Sequence, residues 1–429
     1  MRATTVRSLA LVVLCTAAAS TLDAQTVAII GGRVFTVSGA PVENGTVLVH
    51  DGKIVQVGAN VSIPADARRI DASGKWVTPG FINSDTQLGV VEVDAEQPTR
   101  DASARGKEAI AAAFTVWEGF NPASMLLAPA RGEGITTVLV EPSGGLISGQ
   151  AAVVDLVNGS LSDMMVRAPA GMIAEIGDKS SAGLGARAEL SVKLKELLED
   201  TRAYSRRKAD FERSATRPFV AGRLDLEAMI PVVEGRLPLI VAADRASDIE
   251  AALKLASDYG IRLIIASGAE AWLVADKLAA AHVPVLTGAM NNIPQSFSTL
   301  GSYQENAALL RRAGVDVILI GDSGISSGET FNVRNLKQEA GNAIAYGMSW
   351  DDALRAVTLA PARVLGIADR YGSLEAGKVA NVVVWSGDPF EIGTRAEHVL
   401  VRGTEINTPS RQDLLEQRYK TLPPDYRKP

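Results

Sequence analysis

Cysteine and histidine are almost absent from this sequence of 429 residues, and each shortage excludes a class of chemistry. The only cysteine is Cys15, so an intramolecular disulfide is excluded, and a chain that begins after it has no thiol nucleophile. The only histidines are His50, His282 and His398, which lie far apart in the sequence. Because neutral imidazole is the commonest ligand of zinc-like ions in catalytic sites, we expect no histidine-rich metal centre, and we interpret all three histidines as structural.

The sequence also lacks an excess of positive charge. Its formal net charge is -6, and its lysines and arginines are scattered rather than clustered, which makes nucleic acid an improbable partner. Hydrophobic residues make up 47% of the chain and charged residues 21%, so the chain can bury a large core. Small molecules and other proteins remain as partners.

The first 24 residues have the layout of a secretory signal. Arg2 and Arg7 precede an apolar run over residues 9–19, and a short segment ends at Ala24. The run is too short to span a bilayer, so we predict a signal peptide over residues 1–24 and a mature chain exported to the periplasm or secreted, without a membrane span. A buried N-terminal helix is the alternative.

Segments rich in β-formers at both ends of the sequence enclose a long stretch of alternating strand and helix patterns. We predict a small β-sandwich built from residues 25–77 and 366–407, with a hairpin turn at Asp51-Gly52. Residues 78–365 repeat strand, loop and helix, which at this length favours a (β/α)8 barrel over a doubly wound sheet. The buried-strand candidates are 136–140, 237–243, 261–266, 283–287 and 315–320. Residues 408–429 form a polar tail to which we assign no chemistry.

A family resemblance begins at residues 79–89, Pro-Gly-Phe-Ile-Asn-Ser-Asp-Thr-Gln-Leu-Gly. This segment resembles the amidohydrolase superfamily, in its imidazolonepropionase-like branch, and the similarity continues at 134–138, 224–239, 245–249 and 372–378. The resemblance implies a (β/α)8 barrel that hydrolyses C–N bonds in non-peptide amides, cyclic amides or dipeptide-type substrates. It also implies zinc or a similar divalent cation, and a dimer or larger assembly.

The residues that bind metal in this family are replaced here. The family pattern Ile-Asp-x-His-x-His places Asp85 and Gln87 at the two histidine positions of the first barrel strand. On the fifth strand Ala242 and Asp244 stand where a His-x-His pair is expected, and on the sixth strand Ala266 begins the segment that matches Glu-His-Gly. The family's bridging lysine or glutamate has no clear counterpart, and the nearest candidates are Glu141 and Glu175.

One catalytic position is retained. The predicted eighth strand ends in Gly321-Asp322, where the family keeps the aspartate that acts as general base and metal ligand. The resemblance therefore makes Asp322 the candidate catalytic residue, which in working relatives takes a proton from a metal-bound water. The alternative is that Asp322 binds backbone N–H groups of the following turn.

One hypothesis keeps hydrolysis and changes the metal. Acidic residues follow the predicted barrel strands at four places: Asp85, Glu141, Asp244 and Asp322. Four carboxylates within a few ångströms cannot all stay ionised without a counter-charge, so they would either raise one another's pKa values or recruit one hard divalent cation such as calcium, magnesium or manganese. Gln87 is a further candidate ligand, and Ser267 supplies a neutral oxygen that we assign to substrate binding.

The competing hypothesis, which we favour, is a degenerate family member without a bound cofactor. Losing the imidazoles at every position while keeping the scaffold is the pattern expected when the metal is no longer used. Such a protein acts as a ligand binder or as the partner subunit of a catalytic relative, in a homo-oligomer or hetero-oligomer.

Two loops near the predicted barrel opening are candidates for ligand contacts. The glycine-rich segment 141–150 presents Gly144, Gly145 and Gln150 as candidate substrate-binding residues, because successive backbone N–H groups can bind an anion. A glycine-supported hairpin explains the same segment equally well. The polar loop 91–101 either covers the opening or is a solvated or subunit-contact loop.

Overall fold

The computed structural model describes residues 26–104, 106–177, 185–290, 294, 296–321 and 330–420. The predicted signal peptide and the candidate base Asp322 lie outside these residues. Within the described ranges, no helix combines the length and apolar character needed to cross a membrane.

The strands of the described chain belong to two sheets. In chain order they are β1 Val27–Val34, β2 Val42–His50, β3 Lys53–Gly58, β4 Arg68–Asp71, β5 Trp76–Pro79, β6 Phe81–Thr86, β7 Ile135–Val140, β8 Ile147–Asp155, β9 Met165–Glu175, β10 Leu239–Ala243, β11 Leu263–Ser267, β12 Val285–Thr287, β13 Val317–Leu319, β14 Val382–Trp385, β15 Ala396–Val401 and β16 Thr404–Glu405. The strands β6 to β13 form one sheet, and the strands from the two ends of the chain form the other, called here the terminal sheet.

The central sheet is nearly closed into a barrel. Its strands lie side by side in chain order from β6 to β13. The backbone N–H of Gly321, just after β13, donates a hydrogen bond of 3.4 Å to Asn83 Oδ1 on β6, which brings the two edges together. All five strands predicted from buried apolar runs are present, because short continuous apolar runs fit strands that are covered on both faces. The structure thus confirms an α/β barrel of the TIM type.

One strand departs from the predicted (β/α)8 pattern. β8 runs antiparallel to both β7 and β9, whereas the other neighbouring pairs in this sheet are parallel. Only residues 141–146 separate β7 from β8, and a parallel return needs a crossover of a dozen or more residues. The glycine-rich segment is therefore a hairpin turn, as one of the two interpretations of the sequence had it.

Helices cover the outside of the barrel. They are Leu127–Gly132, Leu161–Met164, Arg187–Arg206, Lys208–Glu212, Arg223–Val233, Ala246–Tyr259, Ala275–Ala280, Asn306–Arg312, Leu336–Ala345, Trp350–Ala356, Leu359–Val364 and, beyond the barrel, Arg411–Tyr419. The helix Ala246–Tyr259 shows the common design: Ile249, Ala252 and Leu255 recur at helical spacing and are buried against the barrel. It ends where Gly260 adopts a left-handed conformation with φ of 60°, which glycine tolerates without steric cost.

The terminal sheet joins the two ends of the described chain. β5 pairs with β14, with Val382 opposite Pro79, so strands from both ends share one hydrogen-bonded sheet. The predicted hairpin between β2 and β3 is present, and Asp51 and Gly52 have φ of 49° and 71°, the two positive values that this turn requires. A core of buried valines, isoleucines and leucines is formed by β1 to β5 together with β14 and β15.

A buried carboxylate connects the barrel to the terminal sheet. Asp155, at the end of β8, is inaccessible to solvent and accepts hydrogen bonds from Thr137, Asn381, Tyr371 and Arg402. Arg402 lies just after β15, so its guanidinium ties the C-terminal part of the sheet to the barrel. Burial, together with the charge of the aspartate, raises the pKa of the Tyr371 hydroxyl well above its usual range.

The histidines lie away from the ends of the parallel barrel strands. His50 ends β2 and shares a 2.9 Å hydrogen bond with Thr26, and His398 on β15 contacts Glu405 at 2.6 Å. His282 precedes β12. These placements agree with the structural interpretation of all three.

Candidate active site

The parallel barrel strands end at one face, called here the mouth, and the sequence-predicted site residues lie around it. Asp85 is on β6, Glu141 directly follows β7, Asp244 directly follows β10, and Ser267 ends β11. Pairing between neighbouring strands sets their positions along the rim. The Glu141 N–H donates to the Thr86 carbonyl at 2.9 Å, and Ser267 lies opposite Ala243. The barrel geometry thus places these residues at one rim, as expected from strand ends.

Asp244 and Ser267 form a direct pair. Ser267 Oγ donates a 2.5 Å hydrogen bond to Asp244 Oδ1, and the Ala269 N–H approaches the same oxygen at 3.4 Å. Ser267 has a φ of 69°, a left-handed conformation that is uncommon for a residue with a side chain. Backbone strain of this kind typically costs about 1–3 kcal/mol and clusters at functional sites. A serine and an aspartate therefore bind each other at strands where the family has histidines.

Ala242 occupies the other histidine position of the fifth strand, and Ala266 stands where the family's sixth-strand segment has its glutamate. Both lie within paired strands, opposite one another in the register of β10 and β11. A methyl group has no lone pair to donate, so neither residue is able to bind a metal. The described part of the mouth therefore lacks the ligands from strands five and six that the sequence resemblance associates with metal binding.

Asp85 lies near the end of β6, and Gln87 begins the turn that follows this strand. The Asp85 N–H donates to Asn83 Oδ1 at 3.3 Å, and Asp85 remains partly accessible. Gln87 is 7% exposed, and its carbonyl accepts the N–H groups of Val90 and Val91, both at 3.0 Å. The loop over residues 91–101 begins from this turn.

The glycine-rich turn already binds a carboxylate of the protein itself. The Gly144 N–H donates to Glu175 Oε1 at 3.0 Å, so the candidate anion-binding amide is engaged by the end of β9. At Gly145, with φ of 82°, an added Cβ would lie 2.7 Å from the Ala109 carbonyl oxygen. Gln150 Nε2 donates to the Ala112 carbonyl at 3.1 Å. Gly144 and Gln150 thus hold the mouth loops in place through hydrogen bonds within the protein.

The separated carboxylates do not form a recognisable metal cluster. Across the ranges that the structure describes, no group of three or more His, Cys, Asp or Glu side chains is placed to hold a metal ion. Asp322, the fourth member of the predicted set, lies outside the described residues. Its neighbour Gly321 is fixed by the hydrogen bond to Asn83.

Two buried polar residues at the mouth were missed by sequence reasoning. Asn83 is fully buried on β6, and its Nδ2 donates to the Val333 carbonyl at 3.3 Å. Glu339 is fully buried on the helix Leu336–Ala345, and its Oε2 accepts the N–H groups of Ala289 at 2.5 Å and Met290 at 2.9 Å. The available signal was a polar residue at an apolar position of a strand or helix. These side chains hold the loops after β12 and β13.

Comparisons with known proteins agree with the fold. The sequence profile of the Amidohydrolase family matches residues 239–408. The imidazolonepropionase of Mesorhizobium japonicum is 26% identical over 80% of this chain and 87% of its own length. The amidohydrolase tasK of Hapsidospora irregularis is 23% identical over 84% of this chain, which spans only 39% of that relative.

Among solved structures, an amidohydrolase from Thermotoga maritima superimposes with a TM-score of 0.81 at 26% identity. The match covers 89% of this chain and all of that one.

Proposed function

Because the chain belongs to the amidohydrolase superfamily, in its imidazolonepropionase-like branch, we propose that it is a ligand-binding member in which metal-dependent hydrolysis has been lost. The observation that carries the proposal is the identity of the residues at the mouth ends of strands β10 and β11. Ala242, Asp244 and Ser267 stand where metal-binding histidines are expected, and Asp244 and Ser267 are hydrogen-bonded to each other. The scaffold and its opening are kept while the metal ligands are replaced.

The described donor set does not fit the family's divalent cation. Zinc-like ions in catalytic sites take three or more nitrogen, sulfur or oxygen ligands at about 2.0–2.3 Å. Ala242 and Ala266 supply none, and Asp244 Oδ1 already accepts a hydrogen bond from Ser267. Asp322, which in the family acts on a metal-bound water, then has no activated water to deprotonate.

An oxygen-rich site for a harder cation is less well supported. Such ions take six or more oxygen ligands, so Asp85, Glu141 and Asp244 would have to converge. The absence of any grouping of three such side chains among the described residues weighs against this alternative. We therefore retain binding without metal as the proposed function.

The expected ligand is a small molecule of the class that the superfamily processes. One similar protein is named an imidazolonepropionase, which points to a cyclic amide, and the wider family supports non-peptide amides and dipeptide-type compounds as further candidates. We also propose that the mature chain is exported after removal of residues 1–24, and that it assembles as a homo-oligomer or with a catalytic relative. The buried core shared by both ends supports the proposal that the terminal sheet folds over as a sandwich.

Metal content and ligand binding together test the proposal. Purified mature chain is incubated with zinc, manganese or calcium, desalted, and analysed by inductively coupled plasma mass spectrometry beside an active imidazolonepropionase. We expect the enzyme to retain metal and this chain to retain none in stoichiometric amount. A panel of cyclic amides and dipeptides is then screened by calorimetry, with turnover followed by liquid chromatography.

Binding without turnover supports the proposal. About one retained ion per chain, with metal-dependent hydrolysis that is lost in Asp322→Ala, would refute it. Asp244→Asn is a matched variant: it preserves shape and removes the charge, so a metal site would weaken while a metal-free pocket keeps its stability.

A further inference from the structure

A cleft of about 400 Å³ lies at the seam between the barrel and the terminal sheet. It is lined by the bend at residues 37–39 after β1, by the helices Trp350–Ala356 and Leu359–Val364, and by the loop before β14. The mouth residues discussed above are not among its lining residues. The cleft is therefore separate from the proposed ligand site.

The charged groups of this cleft are unbalanced. Three cations, Arg355, Arg363 and Lys378, line it together with one carboxylate, Glu375. Lys378 Nζ lies 2.9 Å from Glu375 Oε2, so that pair neutralises itself. Within the described residues, neither arginine has a carboxylate at ion-pair distance. Asp352, on the same helix as Arg355, is instead bound by Arg311 Nε at 2.8 Å. The charge of Arg355 acts on Asp352 only from beyond ion-pair distance, so both guanidinium groups line the cleft without a direct ion pair.

The wall that carries the lysine is fixed by backbone hydrogen bonds to β3. The Ile54 N–H donates to the Lys378 carbonyl, and the Gly377 N–H donates to the Ile54 carbonyl, both at 2.8 Å. The Lys378 side chain is only 14% exposed, so its ammonium group is held inside the cleft rather than extended into solvent. The opposite wall is helical, and the two arginines come from successive helices of it.

The third wall combines an unusual backbone with apolar surface. Val37 has a φ of 69°, a left-handed conformation that is rare for a β-branched residue. Val37, Leu359 and Ala368 give the cleft an apolar side next to its cationic side. The volume exceeds what one tetrahedral oxyanion fills, which leaves space for an organic group beside it.

We propose that this cleft binds a small phosphomonoester, with the phosphate between Arg355, Arg363 and Lys378 and the organic group against Leu359. Arginine's planar donors match phosphate oxygens in bidentate pairs, and a dianion balances the two guanidinium charges. The ligand would contact both the barrel helices and the loop of the terminal sheet. Its binding therefore holds the two parts of the molecule together.

Equilibrium binding of inorganic phosphate and of phenyl phosphate tests the site on the full mature chain at low ionic strength, where screening is weak. We expect both probes to bind, phenyl phosphate more tightly, and chloride at equal ionic strength not to compete. Each of Arg355→Gln and Arg363→Gln should weaken binding by roughly tenfold, since a charge-assisted contact is lost. The matched control is Arg262→Gln, an exposed arginine outside the cleft, which should bind as the parent does.

Arginine modification gives a second readout that needs no variant. Phenylglyoxal labels exposed guanidinium groups, and peptide mass spectrometry reports the rate at each arginine. Phenyl phosphate should slow the labelling of Arg355 and Arg363 at least severalfold and leave Arg262 unchanged. Absence of phosphate binding, equal binding in the variants and the control, or unprotected labelling in the parent would each overturn the proposal.

Discussion

Replacing Arg402 with methionine should destabilise the protein strongly, because it leaves the buried Asp155 carboxylate without its cation. Asp155 is inaccessible to solvent, and Arg402 Nε, 2.6 Å from its Oδ2, is the cation bound to it. The remaining donors are neutral: Thr137 and Tyr371 hydroxyls, each at 2.8 Å, and the Asn381 amide at 3.1 Å. These hydrogen bonds orient the carboxylate without neutralising it.

The magnitude follows from the burial of each partner. Removing one member of a buried ion pair typically costs about 3–5 kcal/mol. The Arg402 side chain is 34% exposed, so part of its interaction is screened and we place Arg402→Met near the lower end, at about 3 kcal/mol. The double variant Asp155→Asn with Arg402→Met removes both charges and should recover a large part of that loss.

Urea unfolding followed by circular dichroism measures these differences. Because the chain is large, the comparison is best made on transition midpoints measured by two probes, since a single two-state free energy is not assured. A single variant as stable as the parent, or a double variant no better than the single one, would refute the idea that Arg402 compensates the Asp155 charge.

Three further predictions concern separate parts of the molecule. Burial alone raises the pKa of Asp352, but hydrogen bonds from Arg311 and the helix N-cap hydroxyl leave that pKa lowered. Its contribution to stability, measured against Asp352→Asn, should therefore be present above the ordinary value of 3.8 and disappear in denaturation curves as pH falls through the lowered pKa. Gly134→Ala places a Cβ 2.2 Å from Trp385 at a φ of 79°, so we expect a loss of about 2 kcal/mol or more by urea unfolding, and an unchanged midpoint would contradict this. Glu339→Ala frees the two amides it binds after β12, and hydrogen exchange should accelerate there, whereas equal protection would show that the carboxylate does not hold that loop.

The sequence was a good guide to the parallel barrel strands and a poor one to the hairpin within them. The runs 136–140 and 315–320 are buried on both faces apart from the exposed Asp316, so composition alone identified them. β8 contains Ser148, Gly149 and Gln150 in its first half, which weakens any strand pattern, and no crossover helix follows to mark it. Its direction became clear only from the antiparallel pairing with β7 and β9.

At the mouth, residue positions were predictable and partners were not. The motif at 79–89 correctly placed Asp85 on the first barrel strand, and chain order placed Asp244 and Ser267 after neighbouring strands. The bond between Asp244 and Ser267 depends on strand register and on a left-handed backbone, and neither is encoded in local composition. Glu339 was overlooked because its partners are backbone amides 49 and 50 residues away in the chain.

The pairing of β5 with β14 has a consequence for the order of events during synthesis. During synthesis the N-terminal strands leave the ribosome long before Val382 is made. The edge of β5 that later pairs with β14 therefore stays unpaired until the whole barrel sequence has been synthesised. The C-terminal strands then pair with this edge and complete the terminal sheet. A chain truncated before β14 would expose that edge, and we expect it to aggregate rather than persist as a smaller folded protein.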